Sequence, residues 1–236
     1  MADIVLLHPF PVDHSFWGPV ADVLATAGHR VLAPDLPGFG LRPAGPGWSM
    51  SGEADRLAEQ VTDGSVVVGL SMGGYLALAL VARHPGKVGA LLLADTRAGN
   101  ETPDGVEARR ASADDLRAAG TGEFIRAFVP RAMWPGADPA AVARLTAIAS
   151  DQSAEAMADA LLAIAGRDDH TALLPLITVP TVVVVGEHDA VTPPAIATAM
   201  AAAIPDARLA VIGEAGHMTA LEYPGEFTDL VLSLIP

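Results

Sequence analysis

Short apolar runs alternate with longer stretches of helical period along most of the chain. The runs are Ile4–Leu7 (closed by His8-Pro9), Arg30–Asp35 (ending in a Pro-Gly turn), Ser65–Leu70, Val88–Ala94, Thr181–Val185 and Ala207–Ile212. They are continuous rather than alternating, and such runs predict strands covered on both faces. Between them, Trp17, Val20, Leu24 and Ala27 recur at helical spacing and stop at Gly28, a C′ glycine. Ala54, Leu57, Ala58 and Val61 form a second helical stripe, with Glu53 and Asp55 near its positive start. Met72–Arg83, Pro194–Ile204 and Pro224–Leu234 complete the series. Strand–helix alternation of this kind predicts an α/β fold with a mostly parallel sheet of about six strands, flanked by helices on both faces.

From Arg97 to Thr178 the rhythm breaks. Only helical patterns occur there: Val106–Ala118, Gly122–Val129, Pro139–Ser150 and Ala154–Ala165. A parallel crossover needs only about a dozen residues, so the segment predicts a helical lid, 97–178, inserted into a core made of 1–96 and 179–236. The alternative is one more packed layer. A lid would lie over the C-terminal strand ends, where open α/β sheets bind ligands.

Composition narrows the function. The 236 residues are 51% hydrophobic and 18% charged, which excludes disorder as the dominant state. Fourteen basic against 28 acidic residues give a net charge of −14, which repels phosphate backbones and anionic membranes and argues against nucleic-acid or membrane partners. Without cysteine there is no disulfide, thiolate zinc site, iron–sulfur cluster or cysteine nucleophile. The N-terminus has neither a basic head nor a long apolar segment, and no run reaches the roughly 18 residues of a membrane span; the expected location is the cytoplasm. No metal-binding helix, Walker loop or dinucleotide fingerprint occurs, so neither metal nor cofactor is expected. Nothing in the sequence speaks to oligomeric state.

The sharpest chemical feature is Gly69-Leu70-Ser71-Met72-Gly73-Gly74, between an apolar strand and a helical run. Glycines on either side let the backbone turn tightly and project the Ser71 hydroxyl from the sheet edge. The same turn puts the Met72 N–H at a helix N-terminus, ready to donate to a developing oxyanion. The bland reading is a glycine-rich turn with an N-capping serine. A serine nucleophile needs a base. Of seven histidines, His217 in Gly213-Glu214-Ala215-Gly216-His217 leaves the last strand on the edge Ser71 occupies. Asp189, in Gly186-Glu187-His188-Asp189, would orient the imidazole and stabilise its protonated form, with Asp95 at the end of the fourth strand as the competing acid.

These residues resemble the α/β-hydrolase fold superfamily over nearly the whole chain. Leu6–Pro11 looks like that family's oxyanion loop, Asp35–Gly40 like its Asp-x-x-Gly-x-Gly turn, and Gly186–Asp189 and Gly216-His217 like its acid and base loops. The resemblance implies an α/β-hydrolase fold whose first hairpin is missing, a Ser71–His217–Asp189 triad, and the Phe10 N–H as second oxyanion donor. Pro9 stands where that family usually has glycine; it fixes φ and lacks an N–H. Ser71 separates the chain from dehalogenases and epoxide hydrolases, which carry an aspartate there. The look is that of small carboxylesterases and 3-oxoadipate-type enol-lactonases, with serine perhydrolases nearby. The implied function is hydrolysis of a small ester, thioester or lactone through an acyl-enzyme. Perhydrolysis, carbon–carbon cleavage or a lyase reaction on the same residues is one alternative, and a ligand sensor with little turnover is another. Phe124, Phe128, Met133 and Trp134 are candidates for an apolar substrate pocket, or for packing within the lid. Arg126 and Arg131 read as carboxylate ligands or as a solvated helix face. His8 reads as a loop-fixing residue, His14 as an entrance or surface residue, and His188 as a turn residue.

Overall fold

The computed structural model describes residues 1–45 and 47–235. Six strands form one all-parallel sheet in the order β2-β1-β3-β4-β5-β6, where β1 is Asp3–Leu7, β2 Arg30–Leu32, β3 Ser65–Leu70, β4 Val88–Ala94, β5 Thr181–Gly186 and β6 Arg208–Ile212. The chain reverses direction across the sheet between β1 and β3, and ligands of open α/β sheets bind at such a switch point.

The period of two explains why the strands read as unbroken apolar runs. Val5, Leu7, Val67, Leu91, Leu93, Val183 and Val185 enter one core, and Ile4, Leu6, Val66, Val68, Leu92, Val182 and Val184 the other. The first core packs on α2 (Met50–Ala58), α3 (Met72–Arg83) and α8 (Pro194–Ala203), the second on α1 (Gly18–Thr26) and α10 (Pro224–Leu232). Each fully buried Val or Leu contributes about 1.5–3 kcal/mol.

Two strands depart from expectation. β2 stops at Leu32 because Pro34 follows and cannot donate to a ladder. β6 is not covered on both faces: it is an edge strand, and Leu209 and Val211 are exposed. Helix boundaries shift for local reasons as well. α2 starts at Met50 because the Ser49 hydroxyl accepts from Gly52 N–H. Its Glu53 is buried between Arg42 and Arg56 rather than merely facing the helix dipole.

Between β4 and β5 lie four helices, α4 (Pro103–Ala119), α5 (Gly122–Ala132), α6 (Pro139–Ser150) and α7 (Ala154–Ala165), then a 3₁₀ segment, Thr171–Leu176. α4 begins earlier than its apolar pattern because Thr102 caps it and Pro103 takes the first position. α5 runs past Pro130, which lacks the N–H that would bond to Arg126 O. α9 (Thr219–Glu222) is a single turn after β6. No helix among the described residues is long and apolar enough to cross a membrane.

Candidate active site

Ser71 sits between β3 and α3 with φ 52° and ψ −111°, a left-handed conformation that costs a non-glycine residue of order 1–3 kcal/mol. The surroundings hold it there. Its N–H donates to Ala94 O (2.9 Å), and its carbonyl accepts from Thr96 Oγ1 (2.9 Å) and Gly74 N–H (2.9 Å). A side chain at Gly69 would strike the Gly73 carbonyl, and one at Gly73 would strike Leu7 O, so the bend closes only with glycine at both.

His217 lies on the loop between β6 and α9 and is 1% exposed. Its Nε2 is 2.8 Å from Ser71 Oγ, and its Nδ1 is 2.8 Å from Asp189 Oδ2. A carboxylate accepts only, so Nδ1 carries the proton and Nε2 is free to accept from the serine hydroxyl. The Asp189 carboxylate also accepts from Val191 N–H (2.8 Å), Thr192 N–H (2.9 Å) and Thr192 Oγ1 (2.7 Å). Burial raises the Asp189 carboxyl, but its contact with His217 and its hydrogen bonds from Thr192 outweigh it and leave it below the usual range.

Asp95, the competing acid, is fully buried at the end of β4, where Gly186 N–H and Thr219 Oγ1 donate to it. No hydrogen bond joins it to His217 among the described residues. Burial, and then the negative charge of Asp189, push its carboxyl well above the usual range. Its bonds tie the ends of β4 and β5 to the start of α9.

The loop after β1 turns on His8. Leu36 N–H donates to His8 Nε2 (3.0 Å), so the proton is on Nδ1, which donates to Pro9 O (3.0 Å). Burial lowers the His8 ring below its usual value, in keeping with a neutral ring. Pro9 lacks an N–H, and its carbonyl accepts from His8 Nδ1 and from Val12 N–H (3.4 Å). The Phe10 and Met72 N–H groups donate to no other group among the described residues. The Phe10 ring meets Phe39, Phe124 and Phe128 edge-on.

Above Ser71, His217 and Phe10 is a cavity of about 460 Å³, walled by α4, α5 and α7. Phe124 and Phe128 line it; Met133 and Trp134 do not. Met133 is buried in the second core. Trp134 stacks on His188 (centroids 6.0 Å apart), outside the serine–histidine contact. His14 is half-exposed and pairs with Asp35 at 2.8 Å. Arg131 lines the cavity and Arg126 lies outside it; both are exposed.

Sequence reasoning missed several residues here. Glu222, in α9, accepts through Oε1 from Gly216 N–H (2.9 Å) and Met218 N–H (3.3 Å), the two amides flanking His217. Its Oε2 accepts from Trp134 N–H (2.9 Å). Burial raises its carboxyl above the usual range. A carboxylate five positions after the base was the only available signal. Tyr75, Glu101 and Arg109 also line the cavity, and no spacing pointed to them.

Residues 4–230 match the alpha/beta hydrolase family. A pimeloyl-[acyl-carrier protein] methyl ester esterase of Aromatoleum aromaticum is 32% identical, over 99% of this chain and 98% of that protein. A thermophilic esterase of Thermogutta terrifontis, described with malate bound, superposes with a TM-score of 0.94 at 34% identity, covering 99% of this chain and 89% of that one. An enol-lactonase of Burkholderia xenovorans LB400 superposes with a TM-score of 0.88 at 28% identity, covering 99% and 91%.

Proposed function

The chain belongs to the alpha/beta hydrolase family, and within it we propose a serine hydrolase that cleaves a small carboxylic ester, thioester or lactone through an acyl-enzyme. The observation that carries this reading is the continuous relay from Asp189 through His217 to Ser71, with both contacts of the imidazole at 2.8 Å. Ser71 Oγ attacks the carbonyl carbon as His217 Nε2 takes its proton. The unengaged N–H groups of Phe10 and Met72 stabilise the oxyanion. The alkoxide or thiolate leaves with the proton from Nε2, and Asp189 stabilises the imidazolium meanwhile. Water, deprotonated by His217, then attacks the acyl-enzyme and releases the acid. This sequence needs no cofactor. Segment 97–178 acts as the lid: the cavity walls supplied by α4, α5 and α7 support that assignment.

The named relatives, a methyl ester esterase and an enol-lactonase, support an ester or lactone substrate. The test is turnover of p-nitrophenyl esters and simple lactones by the wild type and by Ser71→Ala. The variant should fold normally and lose at least about 10⁴-fold in kcat. A fluorophosphonate should add covalently to Ser71 in the wild type alone. Undiminished turnover by Ser71→Ala overturns the assignment.

A further inference from the structure

The cavity wall opposite in character to the rest of the molecule is its roof. The chain carries a net charge of −14, yet Glu101 is the only carboxylate lining the cavity among the described residues, against Arg109 from α4 and Arg131 from α5. Glu101 is already committed. Its Oε1 accepts from Arg109 Nε (2.9 Å) and Nη2 (2.7 Å) and from Arg167 Nη1 (2.8 Å). Burial opposes its ionisation, but these guanidiniums hold its carboxyl below the usual range.

Arg167 behind the wall is fully occupied: buried, it donates also to Gly99 O and Ile164 O and stacks over the Tyr75 ring at 4.3 Å. Two guanidiniums thus share one carboxylate, and Arg131 adds a further guanidinium to the same cavity. Arg109 Nη1 makes no bond, and Arg131 makes neither an ion pair nor a hydrogen bond among the described residues. The Tyr75 hydroxyl on the same cavity is likewise unbonded there. Unspent donors and surplus positive charge in a cleft attract an anion, and a planar guanidinium matches a carboxylate.

We propose that this roof is an anion subsite, in which Arg109 and Arg131 hold a carboxylate carried by the substrate, so that the preferred substrates are esters or lactones bearing a free carboxylate away from the scissile carbonyl. The proposal rests on the hydrolase reading above and adds a substrate class to it. Arg126, exposed on the same helix but outside the cavity, takes no part.

Matched substrates test this. Methyl hydrogen adipate and its primary amide place the charge or its neutral mimic on the acyl side. O-acetyl 6-hydroxyhexanoate and its amide place it on the alcohol side. In at least one pair the carboxylate form should be preferred in kcat/KM by about tenfold or more, the scale of a charge-assisted hydrogen bond. The preference should fall as salt is added. Arg109→Gln combined with Arg131→Gln should bring the ratio toward one, and so should Arg131→Gln alone in part; that variant removes no internal bond and leaves the fold intact. Arg126→Gln should keep the full ratio.

A wild-type ratio of one or less in both pairs, or an unchanged ratio in the double variant, overturns the subsite while leaving the esterase reading standing. Silence on all four compounds with p-nitrophenyl acetate still cleaved does the same. Silence on p-nitrophenyl acetate as well defeats both readings.

Discussion

The central strands β3 and β5 and the inserted helix α4 are built on opposite economies of burial. Every residue of β3 and β5 is buried, whereas α4 buries only Ala113 and Leu116 along 17 residues. The sheet places Ser71, Asp189 and His217 at strand ends whose backbone has nowhere else to go. The insertion supplies cavity wall through partly exposed side chains of α4 and α5, such as Arg109, Phe124 and Phe128, and through buried Leu161 and Ile164 of α7. On the proposed reading, the Ser71–His217–Asp189 relay thus leans on buried strands and the anion subsite on partly exposed helices. The two regions meet at the end of α5, where Ala132 O accepts from His217 N–H (2.7 Å).

Three experiments press on that division. The largest effect is expected from Leu93→Ala, at a fully buried position of β4: the cavity it leaves should cost about 2–5 kcal/mol in urea unfolding. Asp114→Ala on the exposed side of α4 should stay within about 0.5 kcal/mol. Equal losses at the two sites would erase the contrast.

The next effect tests the seam between the regions. Glu222 fixes both amides around His217 to the amide that follows α5. Glu222→Ala should lower kcat about 10- to 100-fold, the scale of a small displacement of a reacting group, with KM changed less. Glu222→Gln keeps an acceptor for Gly216 and Met218 and should recover most of the rate. Failure of that rescue, or a loss seen only in melting temperature, would make Glu222 merely structural.

The smallest effect concerns Asp95. Its carboxyl is raised by burial and by Asp189, so the folded protein keeps a proton that the unfolded chain releases near its reference value of about 3.9. Above that pH the native state binds more protons than the unfolded one. The contribution is therefore full below the unfolded pKa and declines as pH rises toward the folded one. Asp95→Asn cannot ionise, so unfolding free energies should move in the variant's favour between pH 4 and 8. A parallel pair of curves would mean that Asp95 is not held protonated.

The sheet and the meeting of Ser71, His217 and Asp189 were legible because both are written in local sequence. A strand buried on both faces must be apolar at successive positions, and the Gly69–Gly74 bend needs glycines that leave a visible trace. Asp189 and His217 could be read because each leaves a strand at the same edge. The exposure of Leu209 and Val211 was illegible: an edge strand and a central strand can share the same apolar run. The Glu101–Arg109–Arg167 array was illegible for another reason. Its members come from a loop, from α4 and from just beyond α7, and only the packing of α4 against α7 brings them together. Met133 and Trp134 illustrate the same limit. Large apolar side chains after α5 suit a pocket as well as a core, and the crossing geometry turned Met133 inward and Trp134 onto His188.

Phe10 joins two tasks in one residue. Its ring rests edge-on against Phe124 and Phe128 of the insertion, while its amide is the one proposed to meet the oxyanion. A guest too wide for that aromatic cage pushes on the ring, and the amide shares the same short stretch of backbone. Bulk would then be sensed as slower bond-breaking rather than weaker docking, making the enzyme a gauge of girth read out in turnover.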